Sequence, residues 1–171
     1  MARMSAAARA VPLWRESLVG GHKIRAACRF TVPPSESTAG IVAVGELLGR
    51  AGFTRADAPD GVIVLRRGSA VGDTILNGTG LSLLTSRLGP LSLEAVVVVE
   101  ATPRDDLTEI VVSMVLGDEL APTVAEAVDA VIDGLVARGV AVGGAGWGRA
   151  VDLPAESLGN PKTAREHGLR R

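Results

Sequence analysis

The clearest pattern in the chain is a pair of apolar stretches separated by a short polar loop. Residues 92–100 and 108–116 are dominated by β-branched residues and contain no glycine, which is typical of β-strands. The loop between them, residues 101–107, carries a proline and two aspartates. This order predicts an antiparallel β-hairpin at the centre of the fold.

The outer face of this hairpin is unusually apolar. Alternate residues of a strand lie on opposite faces, and one face of both arms is typical of a core. The other face is charged at its ends but carries Val96, Val98, Val111 and Val115 in its middle. Such patches are usually covered, and the candidates are a second copy of the chain, a different subunit, or the chain's own tail with Trp147. Closed twofold dimers are the commonest soluble assembly, which favours self-association through this interface.

A second alternating stretch, residues 23–32, predicts a half-buried strand. Cys28 lies on its apolar face, and no sequence feature supplies a base that could activate the thiol. We interpret Cys28 as an inert core residue. A single cysteine cannot form an intrachain disulfide, which favours a reducing compartment.

The polar face of the same strand is basic. Lys23, Arg25 and Arg29 share it, and either Arg66 or Arg67 from a later strand can join them. This patch can bind an anionic ligand or an acidic partner, and the alternative is an ordinary solvated face. Nucleic acid is disfavoured because the net charge is −1 and aromatic residues, on which bases stack, are only 2% of the chain.

Two amphipathic stretches predict helices. The first spans residues 35–51, and Gly52 follows in the left-handed position that glycine favours after a helix. The second opens with a capping box at Thr123 and Glu126 and ends at Gly139. The order of elements predicts a two-layer α+β domain, in which an antiparallel sheet packs two main helices on one face.

The two ends of the chain differ from its middle. Residues 1–21 form an arm rich in Arg and Ala, residues 22–139 form the single α+β domain, and residues 140–171 read as a flexible tail. Trp147 is the only large anchor in that tail. Within residues 69–90, the dipeptide Asn77-Gly78 favours a further hairpin, and residues 81–88 form either a short helix or an irregular turn.

The composition is typical of a GC-rich bacterial genome. The longest stretch without a charged residue is residues 74–86, well short of the ~20 apolar residues that span a bilayer. We therefore expect no membrane span and a cytoplasmic location. An organelle matrix is the alternative, because the N-terminal arm has the Arg-rich, acid-poor composition of a transit peptide.

Candidates for catalysis are few. The two histidines, His22 and His167, lie near the two ends, with no Cys, Asp or Glu at metal-ligand spacing. The sequence has no G-x-S-x-G, no Walker A and no dinucleotide-binding glycine motif after a strand. The acidic pairs at 105–106 and 118–119 occupy turn or helix-start positions, where carboxylates support local structure. We expect no catalytic residue, metal or cofactor.

One strand-to-helix junction, Arg29-Phe-Thr-Val-Pro-Pro-Ser35, together with the final long helix, resembles the small START-like (helix-grip) proteins over residues 22–139. The resemblance implies a sheet wrapped around the last helix, with an apolar cavity for a lipid- or polyketide-like ligand. The sequence thus favours a non-catalytic interaction or assembly module, as a homo-oligomer or with a protein partner. The alternative is a START-like carrier, or an enzyme of that class, for an apolar small molecule.

Overall fold

The computed structural model describes residues 26–68, 94–117 and 120–169. The strands are β1 (Ala26–Val32), β2 (Thr54–Ala56), β3 (Val62–Arg67), β4 (Ala95–Arg104), β5 (Leu107–Leu116) and β6 (Gly143–Arg149). The α-helices are α1 (Ser37–Arg50), α2 (Ala121–Ala137) and α3 (Pro161–Glu166), and the 3-10 helices are Pro34–Glu36 and Ala150–Asp152. All strand pairs are antiparallel, in the order β2-β3-β4-β5-β1-β6. The predicted α+β class is confirmed.

The two main helices share one core with one face of the sheet. In α2 the buried residues recur at helical spacing, which gives that helix a continuous apolar stripe. Alternate residues of β1, β4 and β5 face this stripe, as the alternation predicted. The largest fully buried members of this helix-side core are Phe30, Leu48, Ile110, Met114, Ile132 and Leu135. None of the helices in the described ranges is long and apolar enough to cross a membrane.

The central hairpin is longer than predicted. β4 continues to Arg104 and β5 begins at Leu107, so the turn is only two residues, and Asp105 adopts a left-handed φ of 49°. The sequence placed a loop here because of Pro103. However, β3 pairs with β4 only as far as Glu100. Beyond that point β4 has β5 as its sole neighbour among the described strands, and such an edge position tolerates proline.

Each of the three α-helices in the described ranges ends at a glycine with a left-handed backbone. Gly52, Gly139 and Gly168 have φ values of 88°, 80° and 68°. In each case the next residue's N–H bonds to the carbonyl five residues earlier, at 3.0, 3.0 and 2.8 Å. This is the Schellman ending, which satisfies carbonyls at the end of a helix. The predicted ends of the first two helices are confirmed.

The predicted start of α2 was wrong. The helix begins at Ala121 with Leu120 as its N-cap, and no side chain caps it. Pro122 lies in the first turn, where its fixed φ suits the helix and its missing N–H costs nothing. Thr123 therefore lies inside the helix, three residues past the N-cap position that a capping box with Glu126 requires.

Several predictions concern residues outside the described ranges. They include the N-terminal arm at residues 1–21 and the alternatives for residues 69–90. Lys23 and Arg25 of the basic patch also lie there, as does the acidic pair 118–119.

Candidate functional site

The sheet face turned away from α1 and α2 is covered by the chain's own C-terminal segment. We call residues 150–169, which include α3, the strap. One cluster joins Leu158 and Ala164 of the strap to Val64, Val96, Val98 and Val115 of the sheet. A second cluster joins Ala150 and Leu153 of the strap to Ala27 and Val111. Both faces of the sheet are therefore covered within one chain.

This arrangement corrects the expected flexible tail at residues 140–171. The sequence left three candidates to cover the apolar patch: a second copy, a different subunit or the chain's own tail. The structure places the chain's own segment over Val96, Val98, Val111 and Val115. These valines are 0–6% exposed, so a second copy cannot contact them while the strap is in place. Trp147 is not part of the cover, because it packs against the helix-side core.

Polar groups on the sheet fix the position of the strap. The Glu100 carboxylate on β4 accepts hydrogen bonds from the Leu158 N–H, at 2.6 Å, and from the Ser157 hydroxyl. The buried Ser113 hydroxyl on β5 donates to the Gly159 carbonyl, 2.7 Å away. A buried hydroxyl needs a partner, and the strap backbone supplies it. We call these three contacts the latch.

Hydrogen bonds within the strap fix the conformation of residues 153–163. Asn160 caps α3, since its side-chain oxygen accepts a hydrogen bond from the Lys162 N–H at 3.0 Å. The amide nitrogen of the same side chain donates to the Leu153 carbonyl at 2.9 Å. The Thr163 hydroxyl donates to the Ala155 carbonyl. These bonds give a short, non-periodic segment a defined shape.

A groove of about 220 Å³ lies where the strap, the β2–β3 turn and the tip of the central hairpin meet. Its charged lining residues are Asp60, Glu100, Glu109, Glu156 and Arg104. Glu100 belongs to the latch, and Glu109 is paired with arginines. No group of three or more His, Cys, Asp or Glu in the described ranges is placed to hold a metal ion. The two carboxylates of this groove that have defined partners, Glu100 and Glu109, thus stabilise the fold.

Of the predicted basic patch, the described member is Arg29, and it is paired. Its guanidinium lies 2.6 Å from the Glu109 carboxylate on the neighbouring strand, and Arg104 approaches the other oxygen at 3.4 Å. Cross-strand ion pairs of this kind support the sheet. The sequence could not reveal the pair, because Arg29 and Glu109 lie 80 residues apart. Arg66 is one of the two described arginines that could join the patch, and its guanidinium nitrogen lies 3.9 Å from a carboxylate oxygen of Glu94.

Cys28 is 0% exposed in the helix-side core, as its place on the apolar face predicted. It lies opposite Trp147 on β6. Trp147 is half-buried, and its indole N–H is buried with no acceptor among the described residues.

Strand β6 forms one edge of the sheet. It pairs with β1 on one side, and no other described strand pairs with its outer side. Ala145 and Trp147 pack on the helix side, so alternation places Gly146 and Gly148 on the opposite side. The register with β1 shifts near the start of the strand, which marks a bulge there.

Nothing in the described chain requires glycine at positions 146 and 148. Neither has a left-handed φ. An added Cβ at 146 would meet its nearest atom at 3.9 Å, and one at 148 would meet nothing within 4 Å. At Gly143, by contrast, a Cβ would lie 2.8 Å from the Thr31 hydroxyl oxygen. Glycine inside a strand often marks a place where another backbone approaches closely.

A second, more apolar groove of about 330 Å³ lies between α1 and the start of β3. Its lining residues are Thr38, Ile41, Val42, Arg55, Gly61, Val62 and Ile63. Val42 is 46% exposed there. An apolar side chain this exposed makes the groove a candidate site for a small apolar molecule.

Comparison of the chain with protein-family models, with curated proteins and with solved structures finds no match.

Proposed function

We propose that this protein is a non-catalytic interaction and assembly module, which binds an extended protein segment along the outer edge of β6. The observation that carries the proposal is the glycine-bearing stretch of β6 at residues 145–148, whose outer side pairs with no other described strand and which we call the β6 edge. An edge strand presents unpaired N–H and C=O groups that can pair with another chain. Strand addition is a common mode of protein recognition.

The rest of the sheet leaves little room for another contact. Helices cover one face and the strap covers the other. The opposite edge is β2, which is only three residues long. Short edge strands are one way in which proteins prevent unwanted pairing. This leaves β6, with seven residues, as the longer edge.

The β6 edge lacks the usual protection against pairing. Charged residues, proline and bulges normally block an edge strand. In β6 the register shift falls between Gly143 and Gly146, where the β6 edge begins, and Arg149 lies at the end. Between them the β6 edge has neither a charge nor a proline. Trp147 stands in its middle, and tryptophan is enriched among residues that dominate binding energy.

The test is a selection of displayed peptides that bind the purified protein, with Gly146→Lys/Gly148→Lys as counter-selection. The added lysines obstruct strand addition without altering the buried core. Thr54→Lys, on the β2 edge, is the matched control. We expect selected peptides to bind the wild type and Thr54→Lys, and to slow amide hydrogen exchange at residues 145–148. Failure to obtain any peptide that protects these amides contradicts the proposal.

A carrier of an apolar small molecule is the second candidate, and the groove beside Val42 favours it. Its volume falls within the range of about 300–1,000 Å³ that is typical of ligand pockets. Native mass spectrometry of the purified protein is the test. A bound hydrophobic mass that is retained by the wild type and lost from Val42→Asp supports the carrier. A wild-type spectrum without added mass, even after incubation with fatty acids, contradicts it.

A further inference from the structure

Resting on the proposed function, we infer that the segment that pairs with the β6 edge is β6 of a second copy of this chain. The two strands run antiparallel about a twofold axis, and the two sheets become one continuous sheet. The sequence of β6, Gly143-Gly-Ala-Gly-Trp-Gly-Arg149, is complementary to itself in such a pair.

Symmetry limits how two copies of β6 can pair. A twofold axis normal to the sheet makes the strands antiparallel and keeps each face on its own side. Side chains that lie opposite each other therefore belong to the same alternating set. One set contains Ala145, Trp147 and Arg149, and the other contains only glycines. The axis must then pass through a residue. Regular alternation holds only past the register shift between Gly143 and Gly146, so the registers centre on residue 146, 147 or 148.

Each of these registers is sterically open. When the axis passes through residue 146 or 147, Gly146 and Gly148 each lie opposite a glycine of the other copy. When it passes through residue 148, Gly148 lies opposite its own counterpart, and Gly146 lies opposite Ala150, just past the end of the strand. Side chains of a strand project above and below the sheet, and on this face Gly146 and Gly148 place none over the seam between the two copies. This gives the two glycines, which the chain's own packing does not require, a function in close approach.

The same registers are electrostatically favourable. Arg149 lies opposite position 143, 145 or 147 of the second copy, and never opposite its own counterpart. Like charges directly opposite each other destabilise a sheet, and no such pair arises. With the axis at 148, Arg149 lies opposite Trp147, an arrangement that allows a cation–π contact. A net charge of −1 adds no strong repulsion between copies.

Light scattering and sedimentation at high micromolar concentration test this inference. We expect a wild-type dimer, a dimer for the β2-edge control Thr54→Lys, and a folded monomer for Gly146→Lys/Gly148→Lys. Circular dichroism and thermal melting verify that the double variant is folded. A wild type that remains monomeric, or a folded double variant that remains dimeric, overturns the inference.

Cysteine crosslinking provides an independent test that identifies the register. Three samples are oxidised: Gly146→Cys, Gly148→Cys and an equal mixture of the two. A disulfide needs Cα atoms about 4.4–6.8 Å apart, so each crosslink shows which residues lie opposite each other. The register centred on residue 146 predicts a crosslink in the first sample, the register centred on 148 predicts one in the second, and the register centred on 147 predicts one only in the mixture. The wild type, whose cysteine is buried, is the control and should not crosslink. Absence of any crosslink in all three samples overturns the inference.

The two proposals can fail separately. If the wild type is monomeric but selected peptides still protect residues 145–148, the self-pairing is wrong and the interaction module stands. If the chain neither dimerises nor binds a peptide at this edge, both proposals fail.

Discussion

The hydroxyl of Ser113 and the carbonyl of Gly159 form a buried hydrogen bond of 2.7 Å, which joins the middle of the sheet to the strap. Close contact at the same point leaves no space for a side chain at position 159. A Cβ there would lie 2.9 Å from the Ser113 Cβ and 3.1 Å from the Leu153 Cδ1. Both observations require the strap backbone to lie directly on the sheet.

Gly159→Ala should therefore destabilise the protein by about 1–3 kcal/mol, the usual cost of overpacking a core. Urea unfolding measures the change. Gly134→Ala is the control, because a Cβ at Gly134 in α2 meets nothing within 4 Å. Since alanine is favoured in helices, that variant should gain up to about 1 kcal/mol. Equal stability of the two variants contradicts the close contact at Gly159.

Glu100→Ala should loosen the strap. The substitution removes the acceptor of the Leu158 N–H and of the Ser157 hydroxyl. Hydrogen bonds to a charged group contribute about 1.5–3 kcal/mol each, so a loss of about 2 kcal/mol is expected at this half-buried site. Amide exchange at residues 157–159 should accelerate. Glu156→Ala, an exposed carboxylate on the same strap, should leave both measurements near wild type.

Deletion of residues 150–171 should expose the valine face of the sheet. Loss of buried Leu153 and Leu158 alone removes about 3–6 kcal/mol of hydrophobic stabilisation. A fall in melting temperature of about 10 °C or more follows for a chain of this size, accompanied by aggregation. Differential scanning calorimetry tests this expectation. Melting unchanged from the full chain contradicts the assigned role of the strap.

A buried charge in α2 should prevent correct folding. Val131 is 4% exposed in the helix-side core, and Val131→Asp places an unpaired carboxylate there, which we expect to yield mostly insoluble protein. Val136→Asp provides the control in the same helix, because Val136 is 52% exposed. It should stay soluble and melt within a few degrees of wild type. The comparison is made on soluble yield and thermal melting.

The sequence predicted the parts of the fold that follow a regular period. The two faces of the central hairpin, the helix stripes and the glycine ends of α1 and α2 are local patterns, and the structure confirms them. The strap could not be predicted in this way. Its contacts join residues 46 and 58 positions apart, and its apolar residues follow neither helical nor strand spacing.

The candidate site was also only partly visible in the sequence. Trp147 stood out as a large residue among glycines, but glycine is unfavourable in strands, so the stretch was interpreted as flexible. Pairing with β1 overrides that local preference. Being an edge is a property of strand order, which the sequence alone does not specify. Ser113 among valines was the one local signal of the latch.

Amide hydrogen exchange of the wild type at low and at high micromolar concentration tests the claim of assembly through the β6 edge most directly. In dilute protein, residues 145–148 should exchange faster than the central strand β5. At high concentration their exchange should slow severalfold, while residues 54–56 on the opposite edge stay unchanged. Exchange at residues 145–148 that is independent of concentration, or a slowing that affects both edges equally, would contradict the account.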